Sequence, residues 1–164
     1  MVTVMLSQIE QMMHELGPIT PQISQIVQEA DDQWSLNWDG IFWISIEFNP
    51  ERSGLLFWTT LGKPVEDQIL LIYEAMLVTN SLYAGIGSLR IALSHPGEDL
   101  LLFGEHVISH GITRNLRSDL SSFAAHALSL AEIVSNPVSA SIKSLKRKNN
   151  RSEEHTSELQ SLRH

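Results

Sequence analysis

The sequence predicts an α+β protein with the order α-β-β-β-α-β-β-α, an antiparallel sheet packed with helices. Three observations support this. Stretches of helical period come singly, near the start, the middle and the end. Period-two stretches come in runs, joined by short turn signals. Helical and extended patterns do not alternate one for one, as a parallel sheet would require.

The first helix is expected over Met5–Leu16, where Met5, Leu6, Ile9, Met12, Met13 and Leu16 recur at steps of three and four. Gly17-Pro18 is expected to stop it. Ile19, Ile23, Ile26 and Val27 keep a helix-like spacing, so the helix could extend or a second could follow, with Pro21 in its first turn. Trp34, Leu36 and Trp38 then alternate with polar residues, as in a half-buried strand. Asp39-Gly40 marks a hairpin, because both residues tolerate positive φ. Ile41–Phe48 reads as the second strand, Asn49–Gly54 as a turn, and Leu55–Leu61 as the third strand.

Val65–Thr79 reads as the second helix, with Glu66 and Asp67 in its first turn, where the dipole favours negative charge. Its apolar arc is wide: Val65, Ile69, Ile72, Tyr73 and Met76 form one stripe, and Leu70 and Leu77 broaden it. Such a helix usually buries more than one face. Ser88–Leu93 and Asp99–Gly104 are the last two strands, around a turn at His95–Glu98. Thr113–Val134 is the closing helix, its apolar face made by Leu116, Leu120, Phe123, Ala127, Leu130, Ala131 and Val134.

The middle strands are apolar on both faces. Phe42, Ile44, Ile46 and Phe48 point one way, and Ile41 and Trp43 the other. Leu56 and Trp58 oppose Leu55, Phe57 and Leu61 in the same manner. A sheet covered by helices on one side normally alternates apolar with polar. Either a partner covers some of that surface, or helices cover both faces, or the Trp rings cap edges.

Catalytic chemistry finds no foothold. The chain has no cysteine, and no Gly-x-Ser-x-Gly elbow or completed phosphate loop; Gly85-Ile86-Gly87 only begins one. Glu105-His106 and His110 lack the zincin order, and flanking Gly104 and Gly111 weaken a helix there, so they read as loop histidines. His126 reads as a hydrogen-bonded core or boundary residue of the last helix. The expectation is a non-enzyme with no cofactor and no metal.

Residues 1–142 hold 16 acidic and 5 basic side chains, a net of −11. Such a body opposes nucleic-acid binding, which needs a positive surface. Met1–Leu6 is too short for a signal peptide, and no apolar run approaches the roughly 18 residues of a membrane helix. A cytoplasmic location and no membrane insertion are expected. Residues 1–138 are expected to form one domain and 139–150 a basic flexible tail carrying Lys143, Lys146, Arg147 and Lys148. The stretch from Arg151 to Ser161 resembles the in-frame translation of a sequencing adapter, so 151–164 is expected to be non-native. Finding those codons in the resequenced locus would overturn that expectation.

Taken together, these patterns resemble the class I type III secretion chaperones, the Tir-chaperone (CesT-like) family. Leu71–Asn80 resembles the family's second helix and the Asn that follows it. Gly87–Leu93 with Glu98–Phe103 resembles its last hairpin, and Leu116–Val134 its closing helix. Asp39-Gly40 with Phe42–Phe48 fits its early hairpin, so the resemblance covers about residues 5–135.

The resemblance implies a cytoplasmic bacterial virulence chaperone. It would bind the N-terminal segment of a secreted effector as a homodimer, without hydrolysing ATP. It implies client contacts at Met5, Ile9, Met12, Met13, Trp34, Trp43 and Trp58. It implies a dimer interface at Ile69, Leu70, Tyr73, Met76 and Leu77. The competing expectation is a structural or regulatory dimer of the same fold that has no exported client.

Overall fold

The computed structural model describes residues 6–84, 89–94, 99–108 and 113–136. Met5, Gly85–Gly87, the His95–Glu98 turn, His110, Gly111 and everything from Pro137 onward lie outside the described residues. Among the described residues, three helices and six strands follow in order: α1 (Leu6–Ile19), β1 (Ile23–Ala30), β2 (Gln33–Trp38), β3 (Phe42–Asn49), β4 (Gly54–Gly62), α2 (Ile69–Tyr83), β5 (Arg90–Leu93), β6 (Leu100–Val107) and α3 (Thr113–Ser135). A 3-10 turn, Glu66–Gln68, leads into α2. The strands form one antiparallel sheet in the order β1-β2-β3-β4-β6-β5. The α+β class is as the sequence predicts.

One strand departs from the expectation. Ile23–Ala30 is β1, not a continuation of the first helix. The physical reason lies in its register. Shifts between Ile23 and Gln25, and between Gln28 and Ala30, interrupt its pairing with β2. A bulge adds a residue to one strand, so side chains three apart can share a face. Ile23 pairs with Trp38 and Ile26 with Leu36, both inward. A helix-like spacing thus comes from a bulged strand. α1 also runs past Gly17-Pro18 to Ile19 before the chain turns at Thr20.

The hairpin turns follow local chemistry. Asp39 and Gly40 both have positive φ, 51° and 71°. The next turn is held by its own side chain, since the Asn49 carboxamide oxygen accepts from the Arg52 backbone N–H at 3.1 Å. The Ser53 carbonyl then accepts from the Ile108 N–H, 2.9 Å, which ties this turn to the end of β6.

The core lies on one face of the sheet. Trp34, Leu36, Trp38, Ile44, Ile46, Phe48, Leu55, Phe57, Leu61, Leu100 and Leu102 point to it. α1 supplies Ile9, Met12, Met13 and Leu16, and α3 supplies Leu116, Leu120, Phe123, Ala127, Leu130 and Val134. Phe57 and Phe123 meet edge to face, centroids 5.8 Å apart. Phe123 packs over Gly104, where a Cβ would come within 2.8 Å of its ring.

α2 lies beside β5 and caps that strand. Asn80 donates to the Ile91 carbonyl (2.8 Å) and accepts from the Ile91 N–H (2.7 Å). The amide takes the place of a neighbouring strand at this point of the sheet edge. Replacing Asn80 with Ala leaves both backbone groups without these partners. The expected cost is about 2 kcal/mol in urea unfolding; a loss below a few tenths would show that water replaces the amide.

Candidate polypeptide-binding surfaces

The face of the sheet opposite the helices carries a row of apolar side chains. Its composition follows from the register. Trp58 stands opposite Ser45 on β3 and Phe103 on β6, and Phe103 stands opposite Arg90 on β5. Leu56 lies between Glu47 and Glu105, and Leu101 between Thr60 and Ala92. Trp43 shares this face, opposite Asn37, and is 45% exposed. The buried Thr59 hydroxyl donates to the Trp43 carbonyl at 2.7 Å and holds the two strands together beneath the indole. Ile41, at the hairpin tip beside it, is also exposed.

A second apolar surface lies on α2. Leu70, Leu71, Leu77, Val78 and Leu82 are all more than half exposed, Leu70 at 83% and Leu77 at 69%. Steps of four and seven place them on one stripe. Ile72, Met76 and Tyr83 face the core from the opposite side of the helix. Contiguous exposed apolar surface of this kind marks an interaction site.

The client residues implied by the resemblance divide between the two sides of the sheet. Trp43 and Trp58 stand on the open face, Trp43 exposed and Trp58 half-buried. Ile9, Met12, Met13 and Trp34 are buried in the core, with Met12 only 4% exposed. They offer no surface to a partner in this conformation. Met5 lies outside the described residues. The five implied interface residues divide similarly. Leu70 and Leu77 face outward, Ile69 and Tyr73 are half-buried, and Met76 is buried. Phe103 and Leu101 of the open face, and Leu71, Val78 and Leu82 of the helix stripe, are not singled out by the sequence reading. The available signal is the unbroken apolar run Leu100–Phe103, which in an antiparallel strand means two apolar faces.

The histidines have structural partners. His106 is not in a loop, because β6 runs to Val107. It is buried, with Nδ1 2.6 Å from Asp119 of α3. His110 lies outside the described residues. His126 Nδ1 is 3.0 Å from the Tyr83 hydroxyl, and the rings meet edge to face. Burial pushes the Tyr83 phenol above its ordinary pKa. Among the described residues, no group of three or more His, Asp or Glu could hold a metal ion. Among the same residues, no helix is long and apolar enough to cross a membrane.

No family model matches the chain, and no curated protein matches it in sequence. Solved structures do match its fold. One is the ExsC–ExsE complex, with a TM-score of 0.64 at 13% identity, covering 79% of this chain and 96% of the other. Another is the HopA1–SchA chaperone–effector complex, with a TM-score of 0.60 at 12% identity, covering 79% of this chain and 98% of the other. A third is an uncharacterised protein from Methanothermobacter thermautotrophicus, with a TM-score of 0.53 at 12% identity, covering 80% and 96%. The chain has a type III secretion chaperone-like fold.

Proposed function

We propose that this protein is a cytoplasmic, non-enzymatic chaperone that binds the N-terminal segment of a secreted effector and keeps it secretion-competent. It works as a homodimer paired through the exposed stripe of α2. The observation that carries this reading is the open face of the sheet. It presents Trp43, Leu56, Trp58, Leu101 and Phe103, and all three helices pack elsewhere. The fold's likeness to the HopA1–SchA chaperone–effector complex supports it. An extended client would lay alternate apolar side chains along this row.

The test is a pull-down from lysate of the source bacterium, read by mass spectrometry. A dominant exported partner, held through its N-terminal region and lost at least ten-fold in Trp43→Asp, is the expected result. Trp43→Asp is the right probe because the side chain is already exposed, so the fold survives. Met12→Asp is not, since a carboxylate at that buried position costs several kcal/mol and unfolds the chain. A partner equally retained by Trp43→Asp would move the client off this face.

A second reading is a structural or regulatory dimer without an exported client. The Methanothermobacter thermautotrophicus likeness keeps it open, since that match carries no chaperone assignment. A well-behaved dimer that retains no exported protein would favour it.

A further inference from the structure

Beside the apolar row lies an ionic cluster that the escort reading does not use. Glu105 Oε1 accepts from Arg90 at 2.9 Å and from Arg52 at 3.3 Å. The two arginines reach it from different places, β5 and the turn before β4. Two cavities flank the cluster. One, of about 740 Å³, is lined by Leu56, Leu89, Phe103 and the same three charged residues. The other, of about 260 Å³, shares Leu56 and the three charged residues and reaches Val107.

The charge here runs against the rest of the molecule. Residues 1–142 carry a net of −11 with only five basic side chains, and two of the five line this cleft. Two guanidiniums share one carboxylate oxygen, so the cluster itself is positive by one charge. A guanidinium has five donors in a planar fork suited to carboxylates. Both side chains are more than half exposed, so neither is sealed by the fold. The apolar wall of Leu56, Leu89 and Phe103 gives a neighbouring apolar side chain of the same ligand a surface to lie on.

We propose that this cleft receives an acidic side chain, Asp or Glu, of the client polypeptide, next to an apolar residue that lies on Leu56 and Phe103. This rests on the escort reading and deepens it. The open face would supply apolar contacts common to many clients, and the Arg52–Arg90 pair would select among them. A long polyanion such as nucleic acid does not fit, because the surrounding body is acidic.

The experiment is selection of a random twelve-residue peptide library, displayed by its C-terminal end on phage, against the full-length protein and against Arg90→Gln and Arg52→Gln/Arg90→Gln. Display in this form leaves only side-chain carboxylates on the peptides. Exposed ion pairs contribute about 0–1 kcal/mol, so both variants will fold, which a thermal melt checks. The expected result is enrichment of peptides with an acidic residue beside apolar ones on the wild type. Their affinity falls about ten-fold in the double variant, and by a similar factor when the peptide's Glu becomes Gln.

Three results would overturn the proposal. Enriched peptides without acidic preference, held equally by the variants, remove the acid pocket and leave the escort reading standing. No enrichment on any form removes both. A wild-type dimer that dissociates in Arg52→Glu/Arg90→Glu assigns the cleft to a second copy of the chain.

Discussion

In the proposed dimer, Leu77→Asp, alone or with Leu70→Asp, is expected to convert the pair into monomers without unfolding them. Both side chains point away from the core, at 69% and 83% exposure, so their loss removes little internal packing. In a two-fold interface the same patch is used by both subunits, and each substitution is felt twice. A carboxylate buried there without a partner costs several kcal/mol. The dissociation constant should rise by on the order of a thousand-fold. Light scattering behind size exclusion reads the mass, and circular dichroism checks the fold. Met76→Asp is the instructive control. Met76 lies on the same helix but faces inward, so it should abolish folding instead of pairing. If Leu70→Asp/Leu77→Asp dimerises like the wild type, α2 is not the interface, and its apolar stripe serves another partner.

Phe123→Ala is expected to be the most damaging single truncation among the residues that seat α3. Phe123 is 2% exposed, meets Phe57 edge to face and closes over Gly104. Truncating a buried Phe costs about 3–5 kcal/mol, because a cavity remains where the ring was. That is a large share of the roughly 5–15 kcal/mol by which a typical domain is stable. Denaturant unfolding should show a lower midpoint with an unchanged slope. Gly104→Ala probes the same contact from the strand. Its Cβ would lie 2.8 Å from the Phe123 ring, and a ring so enclosed has little room to move, so a loss of about 1–3 kcal/mol is expected. A change below about 1 kcal/mol in Phe123→Ala would mean that α3 is seated by its leucines alone. The consequence reaches function, because the seating of α3 decides which face of the sheet is closed.

Several features are legible in the amino-acid sequence. The Asp39-Gly40 turn, the alternation of Trp34, Leu36 and Trp38, and the heptad-like spacing of α3 are local signals. They reappear at the expected positions because turn chemistry and side-chain period act over a few residues. The two-faced character of β3 and β4 is also readable, with Trp43, Leu56 and Trp58 opposite the core set. β1 is not readable, because the register shift between Ile23 and Gln25 gives a strand the spacing of a helix. His106 reads as a loop residue because no local pattern announces Asp119, thirteen residues away on α3. The Arg52–Glu105–Arg90 cluster joins three elements separated by up to 53 residues, and no spacing rule connects them.

The sequence by itself determined the α+β class, most element positions and the presence of more apolar surface than one layer of helices can cover. It did so because backbone propensity, turn chemistry and periodicity are properties of neighbours along the chain. Only the tertiary structure decided which side of that surface is open. Periodicity says that Ile9, Met12 and Met13 share a face, and that Leu70 and Leu77 broaden another. It does not say which face meets the sheet. Packing closes the first set against α3 and the strands and leaves the second in solvent. The choice depends on how whole elements dock, with α1 and α3 sharing one side of the sheet and α2 held to β5 through Asn80.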